Sequence, residues 1–293
     1  MKSPFKFLDS YTKEDREIYF GREREIDELY HRLFESRIML VYGESGTGKS
    51  SLINCGLINK LRDTDHLPVY IRRSDNILES LSGAILGLLK ESLSYQLLTA
   101  LLFKKALRAL SIESGKQIIF IFDQFEELFI FGTKEEKQSL VQVVKALVES
   151  DLDCRFIFII REEYFANIAE FEKHIPNFLS NRIRIERMDR TNAVAAIKGP
   201  CSVYDIQVED GFAESLLKKL NPEIPGVELT YLQIFLDKIF NLAMFDEKAA
   251  DSGQKPLLFT IGLVEKVGDV SDLLGDRAIT HPDFAKAKEL LNK

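Results

Sequence analysis

The chain of 293 residues is 45% hydrophobic and 29% charged, which is typical of a globular protein with one large or two smaller domains. Its net charge of −7 argues against a protein that binds nucleic acid mainly through charge, so no nucleic-acid partner is expected. The three cysteines are few, odd in number and far apart, which is typical of free thiols in a reducing compartment. Since no apolar run approaches the roughly 18 residues of a membrane helix and the first residues lack a signal-peptide pattern, we expect a cytoplasmic protein without a membrane partner.

The first predicted helix begins after an aromatic-Gly-Arg-Glu sequence, Phe20-Gly21-Arg22-Glu23. Apolar residues at helical spacing follow this sequence over residues 26–34. Its plain interpretation is a helix with Gly21 at the N-terminal cap. Because it lies about 20 residues ahead of a phosphate-binding motif, we favour a second interpretation, in which the box packs its backbone against the adenine of a nucleotide.

The most informative stretch is a G-x-x-x-x-G-K-[ST] motif that follows the apolar run 38–41. The stretch comprises Gly43, Glu44, Ser45, Gly46, Thr47, Gly48, Lys49, Ser50 and Ser51. A predicted strand precedes it and helical spacing follows it, which is the context that this motif requires. The glycines let backbone N–H groups surround phosphate oxygens, and the following helix adds the positive end of its dipole. We expect Lys49 to reach the β- and γ-phosphates and Ser50 to bind Mg²⁺, so the motif predicts a nucleoside triphosphate site.

The next predicted elements are a strand over residues 67–72 and one or two helices over residues 81–110. The helical stretch is rich in leucine and alanine, and its apolar residues recur at helical spacing. A membrane-binding amphipathic helix is the alternative, but most such stripes pack in a core. We therefore expect these helices to cover one face of the sheet.

A second informative stretch is the apolar run 117–122, which ends in Asp123. This pattern predicts a buried parallel strand whose last carboxylate emerges at the carboxyl edge of the sheet. We expect Asp123 to hold Mg²⁺ opposite Ser50, directly or through water. Glu126 and Glu127 follow in what reads as an acidic first helical turn, and we expect one of the two to orient the attacking water.

The remaining predicted elements are two strands and a set of helices. A buried strand over residues 155–160 ends in Arg161, whose position alone leaves open a contact with the γ-phosphate or an ion pair with Glu162 or Glu163. Residues 181–186 alternate as a fifth strand does. Thr191 is expected to cap a helix that ends at Gly199-Pro200, and further helices cover residues 211–220 and 229–245, with a turn at 222–225.

These motifs resemble the prokaryotic STAND class of P-loop NTPases, in particular the branch called novel STAND NTPase 1, a relative of NACHT ATPases. The similarity runs over about residues 4–275 and is most specific in the phosphate loop and in residues 123–129. The resemblance implies an α/β fold of three layers with a parallel sheet of strand order 5-1-4-3-2 and a small helical lid. It also implies that Arg161 lies beside the γ-phosphate as a sensor, because its strand lies between the phosphate-loop strand and the Asp123 strand.

The expected division of the chain is a P-loop core over residues 1–187, a helical lid over 188–251, and a linker with a partial winged-helix-like segment over 252–293. A helical bundle without nucleotide contact is an equal alternative to the lid. STAND lids commonly place a proline near the adenine, whereas this chain has Gly226-Val227-Glu228 there. The final segment is too short for a winged helix plus sensor, so we expect a piece of a longer protein or a standalone relative.

The resemblance implies a signalling switch that binds ATP or ADP with Mg²⁺ and hydrolyses ATP slowly. Its nucleotide state would control assembly into a homo-oligomer in response to a protein ligand or effector, in conflict or antiviral defence. One alternative is an AAA+ loader or initiator that acts on DNA, against which the acidic balance and Gln124, where loaders usually have Glu, both argue. The other is a scaffold that holds nucleotide for structure alone.

Overall fold

The computed structural model describes residues 2–89, 100–220, 225–249 and 256–267. The chain forms two compact units: residues 22–186 make up the first, and residues before Arg22 combine with residues after Glu186 in the second. We call them the sheet unit and the helical unit. None of the helices in the described ranges is long and apolar enough to cross a membrane.

The sheet unit contains a parallel sheet of five strands. These are β1 (Ile38–Gly43), β2 (His66–Arg72), β3 (Gln117–Asp123), β4 (Cys154–Arg161) and β5 (Arg182–Arg184). Their order is β2-β3-β4-β1-β5, which confirms the predicted order read from the opposite edge. Because all the strands run in one direction, the carboxyl ends of β1, β3 and β4 lie at the same edge of the sheet.

Along the chain, helices precede, connect and follow the strands of the sheet unit. Their bounds are Glu23–Glu35, Lys49–Ser51 continued by Leu52–Leu57 and Ile58–Lys60, Ile77–Leu86, Ala100–Ser114, Glu127–Phe131, Lys134–Val148 and Phe165–Glu172. The middle segment of the phosphate-loop helix, Leu52–Leu57, has π-type hydrogen bonding. The described residues of the predicted helical stretch 81–110 belong mainly to the helices Ile77–Leu86 and Ala100–Ser114, and residues 90–99 lie outside the described part of the chain.

The core of the sheet unit lies on both faces of the sheet, since successive side chains of a strand point to opposite faces. One face carries the aromatic residues Phe120, Phe122, Phe156 and Phe158. The other carries mainly β-branched residues such as Ile119, Ile121, Ile157 and Ile159. Burial of each such side chain contributes about 1.5–3 kcal/mol. The two cores together hold the helices on both faces of the sheet and so fix the position of its carboxyl edge.

The helical unit contains the helices Arg190–Val203, Phe212–Leu220, Leu229–Ala249 and Ile261–Lys266 and a parallel pair of short strands, β6 (Gln207–Val208) and β7 (Leu258–Phe259). Residues 1–21, which the sequence analysis placed with the P-loop core, pack in this unit instead. Phe5 is buried there, and Lys6 N and Tyr11 Oη donate to Gln233 Oε1 at 3.1 and 2.9 Å. The lid role remains a prediction. Residues 250–251 of the predicted lid and residues 252–255 and 268–293 of the predicted C-terminal segment lie outside the described residues.

The first helix of the helical unit differs from its prediction at both ends. Asp189, and not Thr191, caps it by accepting a hydrogen bond from Asn192 N, and the helix continues through Pro200 to Val203. Gly199 does not end the helix. A Cβ atom at this position would lie 2.4 Å from the Phe20 ring, so the glycine serves the packing of that ring. The predicted turn at 222–225 lies largely outside the described residues.

Candidate functional site

The phosphate loop connects β1 to the helix that begins at Lys49. Gly46 and Gly48 have φ angles of 78° and 84°, in the left-handed region that favours glycine. A Cβ atom at Gly43 would lie 2.4 Å from Ile185 O, so this position also requires glycine. Ser45 is exposed in the loop between them. The curled loop that the motif predicts therefore depends on three of its glycines.

Lys49 reaches back over the loop from the first turn of its helix. Its Nζ donates to Gly43 O at 2.9 Å and to Glu44 O at 2.7 Å, and the Thr47 hydroxyl donates to Glu44 O at 3.0 Å. Burial lowers the pKa of Lys49, and the nearby Glu126 carboxylate opposes that shift. The cation is thus held within the loop, in the region where the motif predicts phosphate oxygens.

Ser50 and Asp123 come together across the sheet edge. Ser50 Oγ donates to Asp123 Oδ1 at 2.8 Å, and Gln124 N donates to the same oxygen at 3.0 Å. Burial raises the pKa of Asp123, and the hydrogen bond from Ser50 opposes that shift. A hydroxyl and a carboxylate are oxygen ligands that Mg²⁺ accepts, and a cation there would offset the cost of burying the carboxylate. The two residues fit the predicted metal. Ser51 follows Ser50 in the helical segment Lys49–Ser51.

Glu126 and Arg161 form an ion pair beside the loop. Arg161 Nε lies 3.0 Å from Glu126 Oε1, and Arg161 N donates to Oε2 at 3.3 Å. Arg161 ends β4 and stands in register with Gly43 of β1. Burial raises the pKa of Glu126 despite the neighbouring guanidinium. The arginine's partner is therefore Glu126, and neither of the two glutamates that follow it in sequence.

Glu127 has different surroundings from Glu126. Its Oε1 lies 3.7 Å from Nη2 of Arg72, a residue outside the predicted site. Arg72 ends β2 and stands in register with Asp123, so the sheet brings its positive charge to the same edge. The sequence signal for Arg72 is weak, because an arginine that ends an edge strand is more often solvated. The position becomes informative only once the strand order is known.

The aromatic-Gly-Arg box is divided between the two units. Within the sheet unit, Arg22 is buried and its Nη2 donates to Thr47 O at 2.9 Å and to Glu186 O at 3.0 Å. Within the helical unit, Gly21 has a φ of 83°, and the Phe20 ring packs on a helical glycine. The contact of the box with adenine remains a prediction, whereas the contact of Arg22 with the phosphate loop is direct.

The comparisons with known proteins agree with this geometry. The family model of Novel STAND NTPase 1 matches residues 4–278. Among solved structures, the Walker-type ATPase PABY2304 of Pyrococcus abyssi is similar over 99% of this chain and 79% of its own, with a TM-score of 0.63 and 18% identity. The ORC2 protein of Aeropyrum pernix, solved as ADPNP–ADP complexes, is similar over 91% of this chain and 70% of its own, with a TM-score of 0.63 and 15% identity.

A further structural relative is the ORC1 protein of Aeropyrum pernix, solved in complex with DNA. It is similar over 85% of this chain and 65% of its own, with a TM-score of 0.60 and 13% identity. No curated protein matches the sequence. At these identities the structural likeness shows the fold alone, which is that of a P-loop NTPase.

Proposed function

Since the chain belongs to the Novel STAND NTPase 1 family, we propose that it binds ATP or ADP with Mg²⁺ at the phosphate loop and hydrolyses ATP slowly. One observation carries this proposal: a buried lysine, a serine–aspartate pair and a glutamate–arginine pair meet at one edge of the sheet. They are Lys49, Ser50 with Asp123, and Glu126 with Arg161. These are the groups that phosphate binding, metal binding and discrimination of the γ-phosphate require.

The groups around the loop have separate tasks in this proposal. The loop N–H groups and Lys49 bind phosphate oxygens, with Lys49 exchanging its carbonyl partners for the β- and γ-phosphates. Ser50 and Asp123 hold the metal. Bound Mg²⁺ supplies positive charge that stabilises the phosphates during transfer. Asp123 must be ionised for this task.

Glu126 and Arg161 supply the chemistry and the nucleotide sensing. The γ-phosphate competes with Glu126 for Arg161, because a guanidinium binds two oxygens at once and ATP alone offers this phosphate. When Arg161 turns from Glu126 to the γ-phosphate, the Glu126 carboxylate stays in the site without that partner. Its pKa, raised by burial, suits it to accept a proton from the attacking water better than an ordinary carboxylate would.

The simplest test removes the cation of the phosphate loop. In Lys49→Ala, ATP binding in the presence of Mg²⁺ weakens at least about tenfold, equivalent to about 1.4 kcal/mol. Lys173, which is exposed, provides the matched control Lys173→Ala, and its ATP affinity stays at the parent value. Calorimetric titration of both variants measures this difference. Equal affinity in parent and Lys49→Ala would remove the phosphate-loop assignment.

By family, we further propose that the nucleotide state controls a signalling switch. ATP would favour a homo-oligomer, and an as yet unidentified protein ligand would shift the equilibrium toward it, in prokaryotic conflict or antiviral defence. A ligand shifts such an equilibrium only by its difference in affinity for the two states. Sedimentation of the parent protein with ATP and with ADP tests the assembly. Identical sedimentation with both nucleotides would contradict it.

A second candidate is an ATPase that acts on DNA, because one structural relative, ORC1 of Aeropyrum pernix, was solved in complex with DNA. The net charge of −7 opposes this candidate. Fluorescence anisotropy with duplex DNA over a range of salt concentrations distinguishes the two, since contacts of a protein with DNA phosphates produce affinity that falls with salt. The scaffold alternative predicts bound nucleotide without phosphate release, which a phosphate-release assay detects.

A further inference from the structure

Arg22 is a buried cation that contacts the phosphate loop from behind. Arg22 is only 2% exposed, and both terminal nitrogens of its guanidinium contact groups of the sheet unit. One nitrogen donates to two main-chain carbonyls, Thr47 O at 2.9 Å and Glu186 O at 3.0 Å. The other nitrogen pairs with the Glu25 carboxylate one helical turn away. The residue thus joins the loop, the chain after β5 and the first helix.

The contact with Thr47 constrains a peptide group of the loop. The peptide between Thr47 and Gly48 is trans, so its C=O and its N–H point in opposite directions. When Arg22 binds the carbonyl, the N–H of Gly48 is directed away from Arg22. Gly48 stands at the N-terminal cap of the phosphate-loop helix, where an N–H can meet a phosphate oxygen.

The acceptors that hold the Arg22 guanidinium all belong to the protein itself. All the recorded partners of the Arg22 side chain are two carbonyl oxygens and one carboxylate of the same unit. A charge that is buried without such partners is expensive, so the three acceptors explain how it is held there. The carbonyl of Thr47 is the acceptor that belongs to the phosphate loop, and through it Arg22 can influence ligand binding.

We infer that Arg22 is a positioning residue for polyphosphate binding. It fixes the Thr47–Gly48 peptide with its N–H toward the phosphates, and it does not read the adenine. This inference rests on the proposed nucleotide site, and it assigns Arg22 a role different from the adenine contact that the sequence pattern predicts. The ligand class concerned is any nucleoside di- or triphosphate, since both carry the β-phosphate that the loop surrounds.

Calorimetry of four variants tests the inference, with ATP, ADP and GTP as titrants in the presence of Mg²⁺. In Arg22→Gln, ATP and ADP affinity fall together by at least about tenfold, and the ratio of ATP to GTP affinity stays at the parent value. Arg22→Lys recovers part of the loss, because an ammonium can still donate to the Thr47 carbonyl. Arg24→Gln, a change of the exposed neighbouring arginine, binds like the parent.

Glu25→Gln keeps the arginine but removes the charge that orients it, so it lowers ATP and ADP affinity by a smaller common factor. This variant supplies the test should Arg22→Gln not fold. A changed ATP:GTP ratio in the Arg22 variants would show a base contact and overturn the inference. So would parent affinities in folded Arg22→Gln, or in Glu25→Gln if only that variant folds. A parent protein that binds none of the three nucleotides would overturn the proposed function, and this inference with it.

Discussion

Two glutamate–arginine pairs in the sheet unit have opposite characters. In the first, Arg73 donates from Nε to Glu136 Oε1 at 2.9 Å and from Nη2 to Oε2 at 3.0 Å, and Ile77 N donates to Oε1 at 2.7 Å. Both side chains are buried, at 9% and 2% exposed. Burial alone would raise the pKa of Glu136, but the hydrogen bonds from Arg73 and Ile77 outweigh it and lower the pKa.

The second pair, Glu126 with Arg161, is less complete. The arginine side chain contacts the carboxylate from Nε at 3.0 Å, and it is 41% exposed. Burial raises the pKa of Glu126, and the charge of Arg161 does not offset it. The same two residue types thus form two kinds of pair. In the pair of Arg73 with Glu136, called the saturated pair below, the arginine side chain binds both carboxylate oxygens, and in the pair of Arg161 with Glu126 it binds one.

The difference indicates which pair can exchange its partners. Glu136 lies in the helix Lys134–Val148 and accepts hydrogen bonds from Arg73 and from Ile77 N. It thereby holds the start of the helix Ile77–Leu86 against its own helix, so its pair is part of the scaffold. Burial raises the pKa of Glu126, so its carboxylate is costly to keep ionised, and the Arg161 side chain is 41% exposed. An exchangeable pair of this kind at the loop is what a nucleotide sensor requires.

The largest expected effect comes from breaking the saturated pair. Arg73→Ala leaves the Glu136 carboxylate buried without its cation, so the free energy of unfolding falls by about 3 kcal/mol while nucleotide affinity of the folded protein is unchanged. Arg108→Ala is the control, since that arginine pairs with Asp151 on the surface and its loss costs less than about 1 kcal/mol. Urea unfolding measures both. A loss equal to that of the control would show that the pair is not structural.

The next effect concerns hydrolysis. Glu126→Gln keeps the shape of the side chain but cannot accept a proton, so the rate of ATP hydrolysis falls at least about a hundredfold while ATP still binds. Glu127→Gln, whose parent carboxylate faces Arg72, retains most of the rate. Phosphate release under single-turnover conditions compares the two. The reverse ranking would make Glu127 the residue that positions water, and parent rates in both would leave neither with that role.

A smaller effect is expected for the metal. In Asp123→Asn, ATP affinity with Mg²⁺ falls about tenfold, equivalent to about 1.4 kcal/mol, because an amide is a poorer ligand than a carboxylate for this ion. Affinity measured with EDTA stays close to the parent value. Calorimetry with and without Mg²⁺ separates the two contributions. An equal loss under both conditions would mean that Asp123 shapes the loop through Ser50 and does not serve the metal.

The smallest expected effect distinguishes the two pairs by pH. Glu136 has a lowered pKa, so its ionised form stabilises the fold above pH 4.5 and this contribution is lost as pH falls below that value. Glu126 has a raised pKa, so ionisation costs stability at neutral pH and the cost disappears as pH falls toward 4.5. Relative to the parent, Glu136→Gln is therefore less stable at pH 7 and Glu126→Gln more stable. Urea unfolding at pH 7 and at lower pH measures the free energy of unfolding of both variants. A change of the same sign in both variants at pH 7 would contradict the difference between the two pairs.

Much of the fold could be predicted from the sequence because its strands are continuous apolar runs. The run that ends in Asp123 and the phosphate-loop motif are local signals, and the structure places them as expected. The family's strand order supplies the neighbours of each strand, and the structure confirms that order. Local patterns failed at both ends of the helix Arg190–Val203. Asp189 caps it in place of Thr191, and the helix continues through Gly199-Pro200, where Gly199 makes room for the Phe20 ring.

The candidate site was less predictable because its contacts join residues far apart in the chain. Arg22 meets a carbonyl 25 residues later and another 164 residues later, and no spacing rule encodes either contact. The partner of Arg161 is 35 residues earlier, whereas sequence proximity suggested Glu162 or Glu163. Burial raises the pKa of Glu126, and this burial follows from tertiary packing that the local sequence does not encode.

The most direct test of the exchangeable pair is the nucleotide preference of Arg161→Ala. The measurement is ATP and ADP affinity by calorimetry, with sedimentation in each nucleotide, for the parent and the variant. Because only ATP carries the phosphate that competes with Glu126 for this arginine, ATP affinity falls at least about tenfold, ADP affinity is retained, and ATP no longer promotes assembly. An equal fall in ADP affinity would contradict the account, since Arg161 would then be a structural residue like Arg73.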